Sequence, residues 1–391
     1  MKVVYLTHAF PRTPADPVGS FVLRLAMLLR EEGIDIHVVA PGAPGVAESA
    51  VIERIPVTRF RYAPGSLETL AYTGTMMTQV KERRSALAAL GGLVAADWWA
   101  AWRAIGRHDA VLVHAHWWFP GGFAGSFAAP LRGVPLITTL HGSDIAAARS
   151  NALAMRGFRR VMRVSMSVTA VSHWLAEEAA AIAPGVEPVV APMPVDPSLF
   201  APRTGAAPRD RLLFVGKLNE QKGIAHLLRA LAAMHAKPTL DIVVGPGSDE
   251  GPMRSLAVQL GIEQQLVWHP LMPQAELAKL YRGMTALVAP MVGEGLGLIA
   301  IEAALSELPV IAADSGGLRD IVVDGETGAL VPPADAGALA AALDALLARP
   351  DQGAALGAAG RRHALASFSP DAVAKRYAQL YRSSVDSYHR L

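Results

Sequence analysis

The sequence predicts an α/β protein built as two units, each a parallel sheet wrapped by helices. Three observations lead there. Short β-rich runs, apolar throughout rather than alternating, are separated by helical stretches, the pattern of parallel strands buried on both faces. The same rhythm runs twice along the chain. Between the two runs, residues 184–208 hold seven prolines, a density that argues against a helix or a central strand and for a linker. At 391 residues the chain exceeds one ordinary core, so two domains are expected on length alone.

Element by element, the first unit opens with a strand at Val3-Val4-Tyr5-Leu6-Thr7. An amphipathic helix follows from Ser20 to Glu32, ended by Gly33, then a strand at Ile36–Val39. Further strands are expected at Ala110–Val113, Leu136–Leu140 and Val168–Val171, with helices between. The second series places strands at Arg211–Val215, Leu240–Val244, Leu266–Trp268, Ala286–Ala289 and Val310–Ala313, each followed by a helical pattern. The expected boundaries are 1–191 for the first unit, 192–208 for the linker and 209–369 for the second. Ligands of such sheets sit beyond the carboxyl ends of the strands, and two facing units make a cleft.

Composition removes several classes. The chain is 52% hydrophobic and 18% charged with a formal net charge of +2, so nothing global announces nucleic acid. With no cysteine, disulfides, zinc–thiolate sites and cysteine nucleophiles are excluded. The N-terminal "MKVVYLTHAF" runs straight into a strand pattern without the features of a secretory leader, and the apolar stretch Ser85–Ala96 is too short to span a bilayer. A cytoplasmic protein is the expectation.

The polar residues of interest fall at strand ends. After the first strand come His8 and Val18-Gly19-Ser20, where a glycine at a helix start lets backbone N–H groups approach a phosphate. "HAHWWFPGG" follows the strand at 110–113; of His114 and His116, one is expected in the core and one facing a ligand. "HGSD", His141 to Asp144, follows the strand at 136–140, and on its own reads equally as a turn with an aspartate cap. In the second unit "FVGKLNEQKG" sets Gly216, Lys217 and Lys222 at the end of a strand, where two ammonium groups beside glycines suit a diphosphate. "VGPGSDEG" (244–251) makes another glycine-rich turn. "VGEGLGLIAIEAALSELPVIA" (292–312) places Glu294 before a helix and Glu302 inside it, with Gly295-Leu296-Gly297 between. A lone carboxylate is costly to bury, and the neighbours Leu298, Ile299, Ile301, Ala303 and Leu305 are too apolar for a solvated helix. Ionised carboxylates only accept hydrogen bonds, so the hydroxyls of a sugar or ribose are natural partners. No D-x-D or E-x-E pair occurs to chelate a divalent ion, and neither G-x-S-x-G nor a Walker A sequence is present.

Together these residues resemble the retaining glycosyltransferases of family 4, which have the GT-B fold of two Rossmann-like domains. The resemblance covers nearly the whole chain. It is most specific in E-x7-E, here Glu294 through Glu302, with its continuation "ALSELPVIAADSGGLRDIVVDGETGALVPPAD". It implies that Glu302 binds the ribose hydroxyls of the donor nucleotide. Glu294 and the backbone of Gly295, Leu296 and Gly297 would meet the transferred sugar, and Lys217 and Lys222, beside Gly216, the diphosphate. Gly19 would lie near phosphate and acceptor, and His141 would set its main-chain carbonyl near the anomeric carbon. The base would contact backbone at His269-Pro270-Leu271. The C-terminal helix, from the Ser369-Pro370 cap through about 391 with Tyr377 and Tyr381, would return to the first domain. Three departures are visible: Lys217 stands where arginine is commoner, Val18-Gly19 replaces Gly-Gly, and Met193-Pro194-Val195-Asp196 replaces Asn-Gly-Val-Asp at the hinge.

The implied reaction moves a hexosyl-type sugar from a nucleotide diphosphate sugar to an acceptor hydroxyl with retained configuration and without a metal or other cofactor. The leaving diphosphate takes the acceptor's proton while fixed dipoles and cations stabilise its charge. The acceptor would be a glycan, a glycolipid or a small molecule. A sugar-nucleotide epimerase or glycan phosphorylase of the same fold, or a nucleotide-sugar-binding pseudoenzyme, are the competing readings. Five arginines in 149–163 and the run "KERRSALAALGGLVAADWWAAW" (81–102) add the expectation of peripheral contact with anionic membrane.

Overall fold

In the computed structural model the chain divides into two compact units, Met1–Pro194 with Pro370–Leu391, and Val195–Ser369. The structure describes residues 1–391 except 15, 74, 75, 203, 204, 206–209 and 391. Positions 203, 204 and 206–208 of the expected linker therefore lie outside the described residues.

The first unit holds strands β1 (Lys2–Leu6), β2 (Asp35–Pro41), β3 (Ser49–Ile52), β4 (Ile55–Phe60), β5 (Leu112–His116), β6 (Leu136–Leu140), β7 (Ser167–Ala170) and β8 (Val189–Val190). Its helices are α1 (Ser20–Glu31), α2 (Met76–Glu82), α3 (Arg84–Arg107), α4 (Phe123–Leu131), α5 (Ser143–Arg149), α6 (Ala152–Val164) and α7 (His173–Ile182). The sheet order is β3-β4-β2-β1-β5-β6-β7-β8. All neighbours are parallel except β3, which pairs antiparallel with β4. That hairpin adds one antiparallel edge pairing to the expected parallel sheet. The strand expected at Ala110–Val113 is shifted to Leu112–His116, which puts both histidines of "HAH" inside it.

The second unit holds β9 (Arg211–Gly216), β10 (Thr239–Val244), β11 (Leu266–His269), β12 (Ala286–Ala289), β13 (Val310–Ala313) and β14 (Gly328–Val331) in the order β11-β10-β9-β12-β13-β14. Every pairing is parallel. Its helices are α8 (Ile224–Ala233), α9 (Gly251–Leu260), α10 (Gln274–Arg282), α11 (Leu298–Leu305), α12 (Leu318–Ile321), α13 (Ala336–Leu347) and α14 (Pro350–Phe368). The last helix, α15 (Pro370–Tyr388), belongs to the first unit. It buries Val373, Ala374, Tyr377, Ala378 and Tyr381 at three- and four-residue spacing, and Tyr377 Oη donates to the Ala191 carbonyl at 2.9 Å.

Each core follows from the continuous apolar strands. In the second unit Leu212, Phe214, Ile242 and Val288 pack with Leu227, Leu228 and Leu231 of α8 and Leu343 of α13, all buried. Each such side chain stabilises the fold by roughly 1.5–3 kcal/mol. Strand order reverses between β1 and β5 in one sheet and between β9 and β12 in the other. Those switch points leave a crevice at the carboxyl ends, and the residues described next gather there.

Candidate active site

In the second unit the chain leaves β12 at Pro290, turns through Gly293 (φ +64°) and enters α11 through Gly297 (φ +92°). The first amides of a helix have no intrahelical acceptor and carry partial positive charge; in α11 these begin at Leu298, and the buried Gly295-Leu296-Gly297 segment leads into them. Glu294, just before the helix, is ion-paired with Lys222. Both are about one-fifth exposed. Lys222 closes the turn after β9, where the Asn219 side chain accepts from its amide at 3.0 Å. Val292 N donates to Gln221 O at 2.8 Å and clips the two loops together. Gly223 has φ +70°, and a Cβ there would lie 2.1 Å from the Pro290 carbonyl oxygen. Only glycine lets the lysine loop come this close to the glutamate loop.

Gly216 ends β9 and Lys217 follows it, exposed and without an ion pair among the described residues. Gly245 N donates to the Gly216 carbonyl at 2.8 Å and Leu218 N to Ser248 Oγ at 3.0 Å, so the 244–251 turn holds this segment. Glu302, only 5% exposed, accepts from Gln274 Nε2 at 3.0 Å and from Tyr281 Oη at 3.1 Å. Burial, and then the Glu302 charge, push the Tyr281 hydroxyl well above its usual pKa. Leu271 stands 55% exposed two residues beyond β11, while the His269 ring is held by Asp241 at 2.7 Å.

Sequence reasoning missed three contributors here. Gln274 and Tyr281 come from α10 and have no local pattern that links them to Glu302. The third is Ser315-Gly316-Gly317 after β13, quoted only as part of a longer run. Ser315 Oγ accepts from Gly293 N at 3.0 Å and Gly317 N donates to Glu294 O at 2.8 Å. A Cβ on Gly316 would sit 2.4 Å from that same carbonyl oxygen. A glycine pair directly after a strand was the available signal.

In the first unit Gly19 (φ +72°) caps α1, and a Cβ there would lie 2.1 Å from Ala9 O. Phe21, in the first turn of α1, has its ring 5.2 Å from that of His141. Trp117 lies between His8 and His141, at centroid distances of 4.5 and 4.3 Å. Its φ of +66° is a strained value for a bulky residue. His116 Nδ1 and His141 Nε2 are 3.1 Å apart, so one neutral ring donates and the other accepts. Burial pushes His8 down to about 4. His114, His116 and His141 are held well below the usual range, first by burial and then by one another. The expectation of one core and one ligand-facing histidine in "HAH" fails. Residues two apart on a strand share a face, and both rings are fully buried, 4.2 Å apart.

Asp144 settles the two readings of "HGSD" in a third way. It lies in the first turn of α5, behind a Gly142 cap, and its carboxylate accepts from the amides of His141 (2.6 Å), Gly142 (3.3 Å) and Trp118 (3.0 Å). Burial pushes its carboxyl up to about 6 against those amide bonds. Asp144 thereby fixes the main chain of His141 and of the residue after Trp117. Thus Lys222, Glu294 and Gly295–Gly297 form one cluster, with Gly216 and Lys217 on the adjacent strand end and Glu302 one turn into α11. In the other unit Gly19 starts the helix whose Phe21 ring lies 5.2 Å from that of His141. Leu271 does not join the cluster.

The sequence signature described as glycosyl transferases group 1 matches residues 202–363, and that described as glycosyltransferase family 4 matches residues 18–199. A D-inositol 3-phosphate glycosyltransferase of Streptomyces scabiei is 31% identical over 96% of this chain and 88% of its own. Among solved structures, sucrose-phosphate synthase from Thermosynechococcus elongatus superposes with a TM-score of 0.80 at 23% identity over 99% of this chain and all of its own. The Anabaena protein HepE in complex with UDP-glucose gives 0.72 at 18% identity over 98% of this chain and all of its own. The fold is GT-B.

Proposed function

The chain belongs to the group 1 glycosyltransferases of family 4, and from that premise we propose a retaining, metal-independent transfer of a hexosyl-type sugar from a nucleotide diphosphate sugar to an acceptor hydroxyl. The observation that carries the reading is the pairing of Lys222 with Glu294 against the glycine-lined start of α11, at the β9/β12 switch point. Here cation, carboxylate and backbone donors meet at one strand-end crevice, as a sugar diphosphate needs.

Lys222 and Lys217 offset the diphosphate charge, with the helix-start amides adding fixed dipoles. Glu294 and the Gly295–Gly297 backbone take sugar hydroxyls, and Glu302 takes the ribose. In the transfer the bond from the anomeric carbon to phosphate oxygen breaks, the bond to the acceptor oxygen forms on the same face, and the acceptor's proton passes to the leaving diphosphate. His141, neutral and with its amide pinned by Asp144, offers its carbonyl to the reacting carbon. His8 Nδ1, buried without a hydrogen-bond partner, suits an acceptor hydroxyl. The UDP-glucose bound to a protein of like fold makes UDP-sugars the first donors to try. The arginines of the first unit support a peripheral contact with anionic membrane.

The test is turnover of UDP-, GDP- and ADP-sugars in EDTA, with the product's anomeric coupling read by NMR. Lys217→Ala and Lys222→Ala should each cut turnover steeply, and EDTA should not abolish it. Activity lost in EDTA and restored by Mn²⁺ would overturn the metal-independent mechanism. An inverted product would overturn retention.

A further inference from the structure

The helix α3 is 24 residues long and apolar on the wrong side. Its inner face buries Ala86, Ala89, Leu93, Ala101 and Ile105. The opposite face carries Leu87, Ala88, Gly91, Ala95 and Trp99, all exposed, Leu87 by 58% and Trp99 by 49%. Between Arg84 and Arg103 the helix has one charged residue, Asp97, and it points inward and is buried. A solvated helix face is ordinarily polar, and a helix apolar all round is covered by something. Beside it α4 exposes Phe127 by 38% and Leu131 by 66%. An open apolar groove of about 360 Å³ runs between the two helices, lined by Trp98, Phe123, Phe127 and Leu131 among others.

The charges around this patch are predominantly basic. Arg83 and Arg84 precede it, Arg103 and Arg107 follow it, and two arginines flank it over aromatic rings. The Arg132 guanidinium lies 3.6 Å from the Trp102 ring centre, and that of Arg160 lies 3.9 Å from that of Phe127. The nearby acids, Glu82 and Asp109, stand beyond the helix ends. Arg159, another of the five arginines in 149–163, donates to the Ile182 carbonyl at 2.7 Å.

We propose that the outer face of α3 with the adjoining face of α4 docks on an anionic lipid bilayer. Trp99, Leu87 and Leu131 enter the headgroup boundary while the arginines reach phosphates. Apolar face, interfacial tryptophan and a cationic rim are what such a surface selects. Among the described residues no helix is long and apolar enough to cross a membrane, so the contact is interfacial. A second copy is a poorer occupant, because a twofold contact through this patch would set arginine rim against arginine rim. The proposal rests on the transferase reading only for its use, presenting the enzyme to a lipid-linked acceptor. Vesicle binding needs neither donor nor turnover, so the two can fail separately.

The experiment is co-sedimentation of the full chain with phosphatidylcholine vesicles and with phosphatidylglycerol-rich vesicles, at low and high salt. Pelleting with the anionic vesicles alone, weakened by salt, is expected. Leu131→Glu and Leu87→Glu should each lower the partition coefficient by about tenfold, and Arg103→Gln by roughly fivefold, with melting temperature and nucleotide binding unchanged. Absence from anionic pellets at low salt would overturn the proposal, as would variants that pellet like the parent. So would a concentration-dependent dimer that Leu131→Glu dissolves, which would give the face to a second copy.

Discussion

Glu302 shows how a buried acid is made tolerable. It sits in a helix whose other buried residues are apolar, and Tyr281 and Gln274 of α10 supply it with donors. Removing the side chain would leave the buried Tyr281 hydroxyl with only its longer bond to the Ile299 carbonyl at 3.3 Å, a weakening inside the core, while Gln274 is exposed. Glu302→Ala therefore mixes a stability loss with any ligand effect. Glu302→Gln keeps the shape and removes the charge that a ribose hydroxyl would bond. Hydrogen bonds to charged groups are worth roughly 1.5–3 kcal/mol, so nucleotide affinity should fall about ten- to a hundredfold. Calorimetric titration with UDP, GDP and ADP reads it, and unchanged affinity for every nucleotide that binds the parent removes Glu302 from the ribose site. Asp144 is a parallel case in the first unit. Replacing it with alanine frees three amides, including that of His141, and should lower kcat more than it raises donor KM.

At the scale of elements, close backbone approach decides the donor loop. Gly223 and Gly261 have nearly equal dihedrals, φ +70° and +67°, but a Cβ on Gly223 would strike Pro290 O whereas one on Gly261 meets nothing within 4 Å. Gly261→Ala should cost only the left-handed strain of about 1–2 kcal/mol. Gly223→Ala should lower the urea midpoint further and remove activity, because the Lys222 turn must move off the Glu294 loop. Equal midpoints and equal turnover for the two variants would show that the close approach is not needed. The glycines and acids of this loop were legible in the sequence because each element carries its own signal: an unbroken apolar strand, a proline break, a glycine start. The hairpin of β3 and β4 was not. Its turn uses Glu53 and Arg54 at φ +48° and +67°, where Asn-Gly would be the usual sign. The strand β14 begins at a glycine and is four residues long, too short to stand out from the turn before it. Contacts between distant elements, such as Tyr281 with Glu302, leave no spacing to read.

For the whole molecule, the buried titratable groups are unevenly shared between the units, and that sets its response to acid. His8 and His37 are held at about 4 by burial, and His114, His116 and His141 lie well below their ordinary value. All five belong to the first unit. Their folded pKa values lie below the unfolded one, so between about 6.5 and 4 the unfolded chain binds more protons, and stability is lost as pH falls through that window. Asp97 and Asp144, raised by burial to about 7 and about 6, act in the opposite direction, since folding favours their protonated forms. Five groups against two leaves a net loss on acidification, each histidine contributing up to about 1.4 kcal/mol per pH unit. In the second unit, burial raises the Asp344 carboxyl but the amides of His235 and Ala236 outweigh it and hold its pKa low, so its contribution is lost only below about 4. Six of the seven tryptophans, all but Trp268, lie in the first unit, and their fluorescence reports its unfolding. The midpoint of that signal should fall steadily from pH 6.5 to 4.5, while a calorimetric transition assigned to the second unit by its shift with bound nucleotide should barely move. A tryptophan midpoint constant over that range would mean the histidines titrate while still folded, through a path for water that the packing of their rings does not show.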